Sequence, residues 1–571
     1  MIHLTFKSGL PSLALALTLA LASCGTLKPL KSDYASVDPQ PLELRGGKIP
    51  ATITLNIPAK WFNKNAVVRI TPVLKHGMGQ QWGTAYTFQG EKVRGNARTV
   101  SYSNPATLTL NSDFNWSPEY RNSELFLMFN ATVNGKEVSL PDLKIGEGVL
   151  ATEALASAND VTPAIAPDGF QRVIKEKFDT DIHFLIQQAN LRSSELKSGD
   201  LKAWKEIIEN ADYAPNQNVD VEVQAYASPD GGLELNEKLA AQREKNTSDY
   251  LKRELKRMDV DAPVSAYYTA QDWEGFKELV EASDLQDKDL VLRVLSMYPD
   301  PEVREKEIKN ISAVYSQLTD LILPKLRRSR LIANIETIGK SDAEILDIAR
   351  VAPGRLTNEE LLYAATLTKD TEEKISFYNS ATSTYPKDYR AYNNLAALAF
   401  EVGNIGKAEE LLQKASEVAM AAGEKNPEAL LLNQSLLQLR AGNVDQAKTL
   451  LGQISDLPNV NEAMGLLHIQ DGNYSMAAKE LRDTPTNNGV LAQILDKNYA
   501  RATELLGLIS EPDATTHYLK AIIGARTGDT ALIQEGLSEA IHTNPDLRSI
   551  LMTDREFAKY RTAPFLAPIF R

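Results

Sequence analysis

The sequence predicts a multidomain chain: an N-terminal β-sandwich, an α+β middle domain and a C-terminal all-α solenoid. Three observations predict it. Apolar and polar residues alternate in short runs over the first quarter, mixed helix and strand patterns follow, and beyond residue 341 a spacing of glycine and alanine recurs while strand patterns vanish. A chain of 571 residues has room for roughly three or four domains of ordinary size.

The first residues bear on the compartment. His3 and Lys7 precede an apolar stretch from Leu13 to Ala22, about ten residues, against about 20 needed to span a bilayer. A secretory leader fits that length. Its end, Leu21-Ala22-Ser23-Cys24, resembles the lipobox of bacterial lipoproteins. The resemblance implies a diacylglyceryl group on the Cys24 thiol, cleavage before that residue and acylation of the new amine. Two or three acyl chains anchor stably where one does not. Cys24 is also the only cysteine, which excludes an intramolecular disulfide. Residues 1–23 are therefore expected as a signal peptide. Residues 24–45, with Pro29, Pro39 and Pro41, are expected as a lipidated tether ending at Gly46-Gly47.

The β-sandwich is placed over 46–150. Ile53, Leu55 and Ile57 alternate with polar neighbours, as do Val68 and Ile70, and Leu108 and Leu110. Phe129, Ala131 and Val133 run into Asn134-Gly135, followed by Lys136, Val138 and Leu140, a hairpin signal because type I′ turns need two positive φ angles. The Ala- and Pro-containing stretch from Thr152 to Asp168 breaks the pattern, and 151–174 is read as a linker. In the middle domain, 175–340, a strand is expected within Asp181 to Leu191, a helix from Ser198 to Asn210 and a strand over Val219 to Val223.

The next loop reads Ala225-Tyr226-Ala227-Ser228-Pro229-Asp230-Gly231, then Asn236, Leu239 and Arg243. It resembles the peptidoglycan-associating C-terminal domain of outer membrane protein A, with Ala240 at that family's serine position. Leu326-Arg327-Arg328-Ser329-Arg330 is similar to its Asn-Arg-Arg strand, displaced by an insertion that includes about 270–318. In the family an aspartate holds the ammonium of diaminopimelate and the arginine holds its carboxylate. Here Ser228 stands at the aspartate position and Tyr226 at that of the preceding histidine. The resemblance implies Ser228, Asp230, Asn236, Arg243 and Arg328 as peptidoglycan-binding candidates, with Asp230 standing in for the aspartate if the loop turns it inward.

The repeats are placed over 341–555, with 556–571 as a tail. Gly403-Asn404 precedes Ala408, Gly442-Asn443 precedes Ala447 and Gly472-Asn473 precedes Ala477, always with the same offset. With Tyr392, Leu395, Ala396 and Ala415, the set resembles the tetratricopeptide repeat, whose glycine ends one helix and whose alanines let two helices cross closely. Weaker copies at Ala381 and Pro386, and at Ala521, Gly528, Ala540 and Pro545, make about five or six units. Ser341 and Thr357 open capping boxes. The resemblance implies a concave surface for protein partners, with Tyr392, Asn393 and Asn394 as groove candidates, or else a rigid spacer.

Composition and motifs narrow the function. With 62 basic against 75 acidic residues the net charge is −13, and the basic residues are dispersed, which disfavours nucleic acid. The six histidines, at 3, 76, 183, 468, 517 and 542, show no metal-binding spacing, and no nucleophile elbow or phosphate loop occurs. His183 is read as a structural histidine. We expect no cofactor, no metal and no enzyme activity, a hydrolase in the β domain being the remote alternative. The domain combination resembles envelope lipoproteins of the Bacteroidota. It implies an outer-membrane anchor facing the periplasm, since Gly25-Thr26-Leu27-Lys28 lacks an acidic export cluster, and envelope proteins as partners. Two roles remain: a scaffold acting through the repeats, or a tether binding peptidoglycan stem peptides.

Overall fold

A computed structural model describes residues 27–570 apart from 78 and 286. Cys24 and the leader lie outside the described residues. The chain divides into two compact units, one formed by residues up to 167 together with 382–571, the other by 168–381. Among the described residues no helix is long and apolar enough to cross a membrane.

The N-terminal region is strand-rich. Ala35–Asp38, Lys48–Ile57 and Ala106–Asn115 form one sheet in that order. A second sheet runs Lys136–Ser139, Glu124–Val133, Ala66–His76, Tyr86–Gly90, Arg98–Val100. Alternate residues of each point inward, and Ile53, Leu55, Leu108 and Leu110 from the first share one core with Val68, Ile70, Leu125 and Leu127 from the second. Asn134 and Gly135 turn the hairpin with φ of 52° and 77°. The expected tether is a correction: from Leu27 onward it is folded. Leu27, Val37, Leu42 and Leu44 are buried in this core, Val37 pairs with Ile53, and the Trp61 indole donates to the Lys28 carbonyl at 2.6 Å. These spaced apolar residues among the prolines give the segment a face to bury.

The all-helical repeat region consists of five hairpins: Tyr389–Glu401 with Ile405–Ala421, Glu428–Arg440 with Val444–Leu451, Val460–Gln470 with Tyr474–Glu480, Asn487–Leu495 with Tyr499–Leu506, and Ala514–Thr527 with Thr530–Thr543. One turn recurs in all five. Gly403, Gly442, Gly472, Lys497 and Gly528 adopt φ between 64° and 84°. The next residue's N–H then donates to a carbonyl five residues back at 2.8–2.9 Å, as from Asn404 to Ala399 and from Asn498 to Gln493. This closes the last turn of the first helix in a Schellman motif. Ala408, Ala447, Ala477 and Ala502 sit fully buried at the helix crossings.

Two boundaries move. Residues 341–381, expected as repeat, belong to the other unit, although both capping boxes at Ser341 and Thr357 are formed. The expected tail buries Phe557 and Leu566 against the last hairpin's core. The fourth hairpin escapes a glycine-based search because Lys497 occupies the left-handed position.

The second unit has a four-stranded sheet in the order Val173–His183, Arg328–Ile338, Gln217–Tyr226, Val264–Thr269. Its last pair is parallel and the others antiparallel. Helices Gly199–Tyr213 and Leu233–Met258 supply Trp204, Ile208, Leu251 and Leu255 to a core with Val221, Val223, Leu331 and Ala333. Between the third strand in sequence and the last lie five short helices, Trp273–Glu281 to Leu323–Leu326, with a core of their own around Phe276, Val291 and Leu318. The strand expected within Asp181 to Leu191 instead spans Val173–His183, inside the stretch read partly as linker. It is an edge strand whose first five residues are exposed, so its sequence carries little apolar alternation.

Candidate functional site: a groove holding an extended segment of its own chain

In the second unit, the loop after strand Gln217–Tyr226 brings most of the peptidoglycan candidates together and closes them on one another. Asn236 donates to the carbonyls of Ser228 and Gly231 at 2.9 and 2.8 Å, fastening the loop to the start of its helix. The Ser228 hydroxyl donates to the Asp230 carboxylate, which also pairs with Arg327 at 3.3 Å. Pro229 and Asp230 border a cavity of about 10 Å³ beneath Trp273, Lys309 and Tyr315 of the inserted helices, room for no more than about one water.

Two of the five candidates are corrected. Arg243 is 0% exposed, and its three nitrogens donate to the carbonyls of Gln188, Tyr226 and Leu185 at 3.0, 2.7 and 3.3 Å. Burial, reinforced by the nearby charge of Arg327, lowers its pKa to about 10. Its fork ties the loop after the first strand to the helix Leu233–Met258, leaving nothing directed outward. Arg328 is likewise buried, donates to Asp272 at 3.1 Å and lies over the Tyr226 ring. Asp272 is the N-cap of the first inserted helix, so the insertion consumes this charge. His183, on the edge strand, has its ring 3.5 Å from Glu195.

The repeat region contains the more elaborate arrangement. Residues 157–166, read from the sequence as linker, run through the groove lined by the first helices of the hairpins. Asn394 accepts from the Ala166 N–H at 2.7 Å and donates to the Ala166 carbonyl at 3.2 Å. Asn433 does the same to Ala164 at 2.8 and 2.7 Å, and Asn488 to Ser157 at 3.0 and 2.7 Å. A carboxamide offers a donor and an acceptor side by side, which match the N–H and C=O of one extended residue as a neighbouring strand would. Asn393 reinforces the pair by donating to the Ala164 carbonyl and accepting from Asn433, and Glu462 accepts from the Thr162 N–H at 2.7 Å.

The segment runs antiparallel to the array. Ser157 meets the fourth hairpin, Thr162 the third, Ala164 the second and Ala166 the first. Ala158, Val161, Ala164 and Ala166 enter the apolar core of the repeats, while Ile165 between them stays 42% exposed. Upstream, Glu153 accepts from the Gly46 and Gly47 N–H groups and from the Tyr474 hydroxyl, and its pKa is raised by burial against those bonds. Asp160 has its pKa pushed up to about 6 by burial and by the Asp513 carboxylate, against a hydrogen bond with Asn487.

Of the groove candidates, Asn393 and Asn394 are engaged by this segment, whereas Tyr392 is half-buried against the hairpin core. Asn433, Glu462 and Asn488 went unnoticed in the sequence. A signal exists: Asn394, Asn433 and Asn488 each stand nine residues before their turn residues Gly403, Gly442 and Lys497. In the third hairpin that position is Ala463, and the adjacent Glu462 reaches the segment. Among the described residues no group of three or more His, Cys, Asp or Glu is placed to hold a metal.

The fold defines a helical-hairpin repeat protein with a strand-rich N-terminal region. No family model and no curated protein matches the chain. Among solved structures it is similar to a tetratricopeptide repeat protein from Parabacteroides merdae, at 18% identity over 38% of this chain and 90% of that one, TM-score 0.28. It is also similar to PilF of Pseudomonas aeruginosa, at 16% identity over 39% and 99% of the two chains, TM-score 0.25. The Cut9–Hcn1 heterotetramer of APC/C shares 14% identity over 62% and 69%, TM-score 0.32. The class rests on the five hairpins and their common turn.

Proposed function

We propose that the protein is a non-enzymatic scaffold, an outer-membrane lipoprotein anchored through Cys24 and facing the periplasm, that binds envelope proteins through its helical repeats. The observation that carries the reading is the row of groove carboxamides on Asn394, Asn433 and Asn488, which pair with the backbone of an extended chain. Such a row is built for polypeptide and has no evident use in a spacer. The lipobox resemblance supports the anchor, and the tetratricopeptide resemblance of the sequence supports protein partners.

A second reading, a tether to peptidoglycan, is favoured by the second unit. Its loop carries the Ser228-Pro229-Asp230-Gly231 and Asn236 residues of the OmpA resemblance, which lie together there. At its loop Asp230 pairs with Arg327 and accepts from Lys309 at its carbonyl, while Arg243 and Arg328 are committed internally.

Crosslinking in cells followed by purification of the acylated protein, beside sedimentation with sacculi, separates the two. Stoichiometric protein partners without wall binding select the scaffold, and wall binding without partners selects the tether. Labelled fatty acid incorporated by the wild type and lost in Cys24→Ser tests the anchor.

A further inference from the structure

We propose that residues 156–167 are a built-in ligand of the repeat groove. The same groove then takes from another protein an uncharged, alanine- and proline-rich extended segment, with small side chains at the positions of Ala164 and Ala166, in competition with the built-in one. This inference rests on the scaffold reading and specifies its partner.

Three features point to it. The recognition is directed at backbone: Asn394, Asn433 and Asn488 each satisfy both polar groups of a single residue, and every extended chain carries those groups. What selects is size. Ala164 and Ala166 are 8% and 1% exposed, so the groove closes around methyl groups, and the exposed Ile165 between them leaves the intervening position open to any side chain. The held residues Thr162, Ala164 and Ala166 lie in no helix or strand of their own. The one element in the segment is the single 3-10 turn Ala158–Asp160, so release breaks no more than that turn.

The built-in ligand is also imperfect. Burial, with the charge of Asp513 adding to it, disfavours the Asp160 carboxylate, a cost that a neutral ligand avoids. Against this, the segment is covalently held, at an effective concentration on the order of millimolar. A competing segment thus binds weakly until the built-in one is displaced.

The test uses the full chain and a fluorescent peptide of residues 156–167. Ala164→Arg is too large for its site and ejects the built-in segment. Anisotropy titration is expected to show this variant binding the peptide at least about tenfold more tightly than wild type. Adding Asn433→Ala removes the gain. An Ala164→Arg protein with wild-type helical circular dichroism and no gain in affinity overturns the proposal. Should that variant lose its helical signal, hydrogen exchange in the wild type decides. Faster exchange at the Ala164 and Ala166 amides under millimolar peptide supports competition, and unchanged exchange overturns it. Partners captured equally by wild type and Ala164→Arg would leave the scaffold reading standing while removing this one.

Discussion

Asn433 and Ala164, 269 residues apart in sequence, form a closed pair in which one carboxamide takes both the N–H and the C=O of one alanine. Both lie out of water. The pair lets a stretch with no regular structure become part of a folded core, because buried backbone groups must find partners and here side chains supply them.

Replacing Asn433 with Ala leaves the Ala164 N–H without its partner, the Ala164 carbonyl with Asn393 alone, and Asn393 without a neighbour. Leaving a buried peptide group unsatisfied costs about 2 kcal/mol. We expect the opening free energy read by hydrogen exchange at the Ala164 amide to fall by about that much. The Ser157 amide, held by Asn488, should change little. Equal loss at both sites would indicate that the segment docks as one cooperative block.

Docking should depend on pH through Asp160. Its pKa in the docked state, about 6, lies above the ordinary value of 3.8, so docking disfavours the charged form. The docked state is then favoured below the ordinary value, weakens as pH rises toward 6 and levels off above it. The groups facing it are Asp513 and Asn487. Protection of the Val161 amide, corrected for intrinsic exchange, should be greater at pH 4.5 than at pH 7 (about 2.5 units apart across the titration). Asp160→Asn should flatten that difference, and a wild type with pH-independent protection would contradict the assignment.

Lys497 is the one non-glycine in the left-handed turn position shared by the five hairpins. A side chain there costs about 1–2 kcal/mol, partly offset by the entropy a glycine would lose. Lys497→Gly is expected to stabilise the array by about 0.5–1 kcal/mol, read as a raised thermal midpoint. A lowered midpoint would show that the lysine side chain makes up the difference elsewhere.

Arg243→Met should behave as a folding defect of the second unit. It removes three bonds from a charged group to buried carbonyls, a loss of about 3 kcal/mol or more. Exchange at the amides of Val221 and Leu331, in the sheet beneath, is the measurement. Wild-type protection there would return Arg243 to the role of a ligand-binding side chain.

Legibility in the sequence followed the range of the interaction. The alternation around Ile53 and Leu55, the Asn134-Gly135 turn and the capping boxes at Ser341 and Thr357 are set by residues a few positions apart, and each can be read locally. The glycine turns are read the same way until Lys497 breaks the pattern. The edge strand Val173–His183 was obscured because its outer half has no face to bury, and the segment 27–45 because prolines masked its four apolar anchors.

What the sequence by itself determined is the set of local devices: strand-rich beginning, mixed middle, and a helical array punctuated by one recurring turn. Only the tertiary structure decided that the apparent linker is held along the repeats by Asn394, Asn433 and Asn488 and that Arg243 is a buried tie. The physical reason is the same for both. A carboxamide or a guanidinium can serve any carbonyl that the fold brings to it, and a stretch without periodicity is given its place by groups hundreds of residues away.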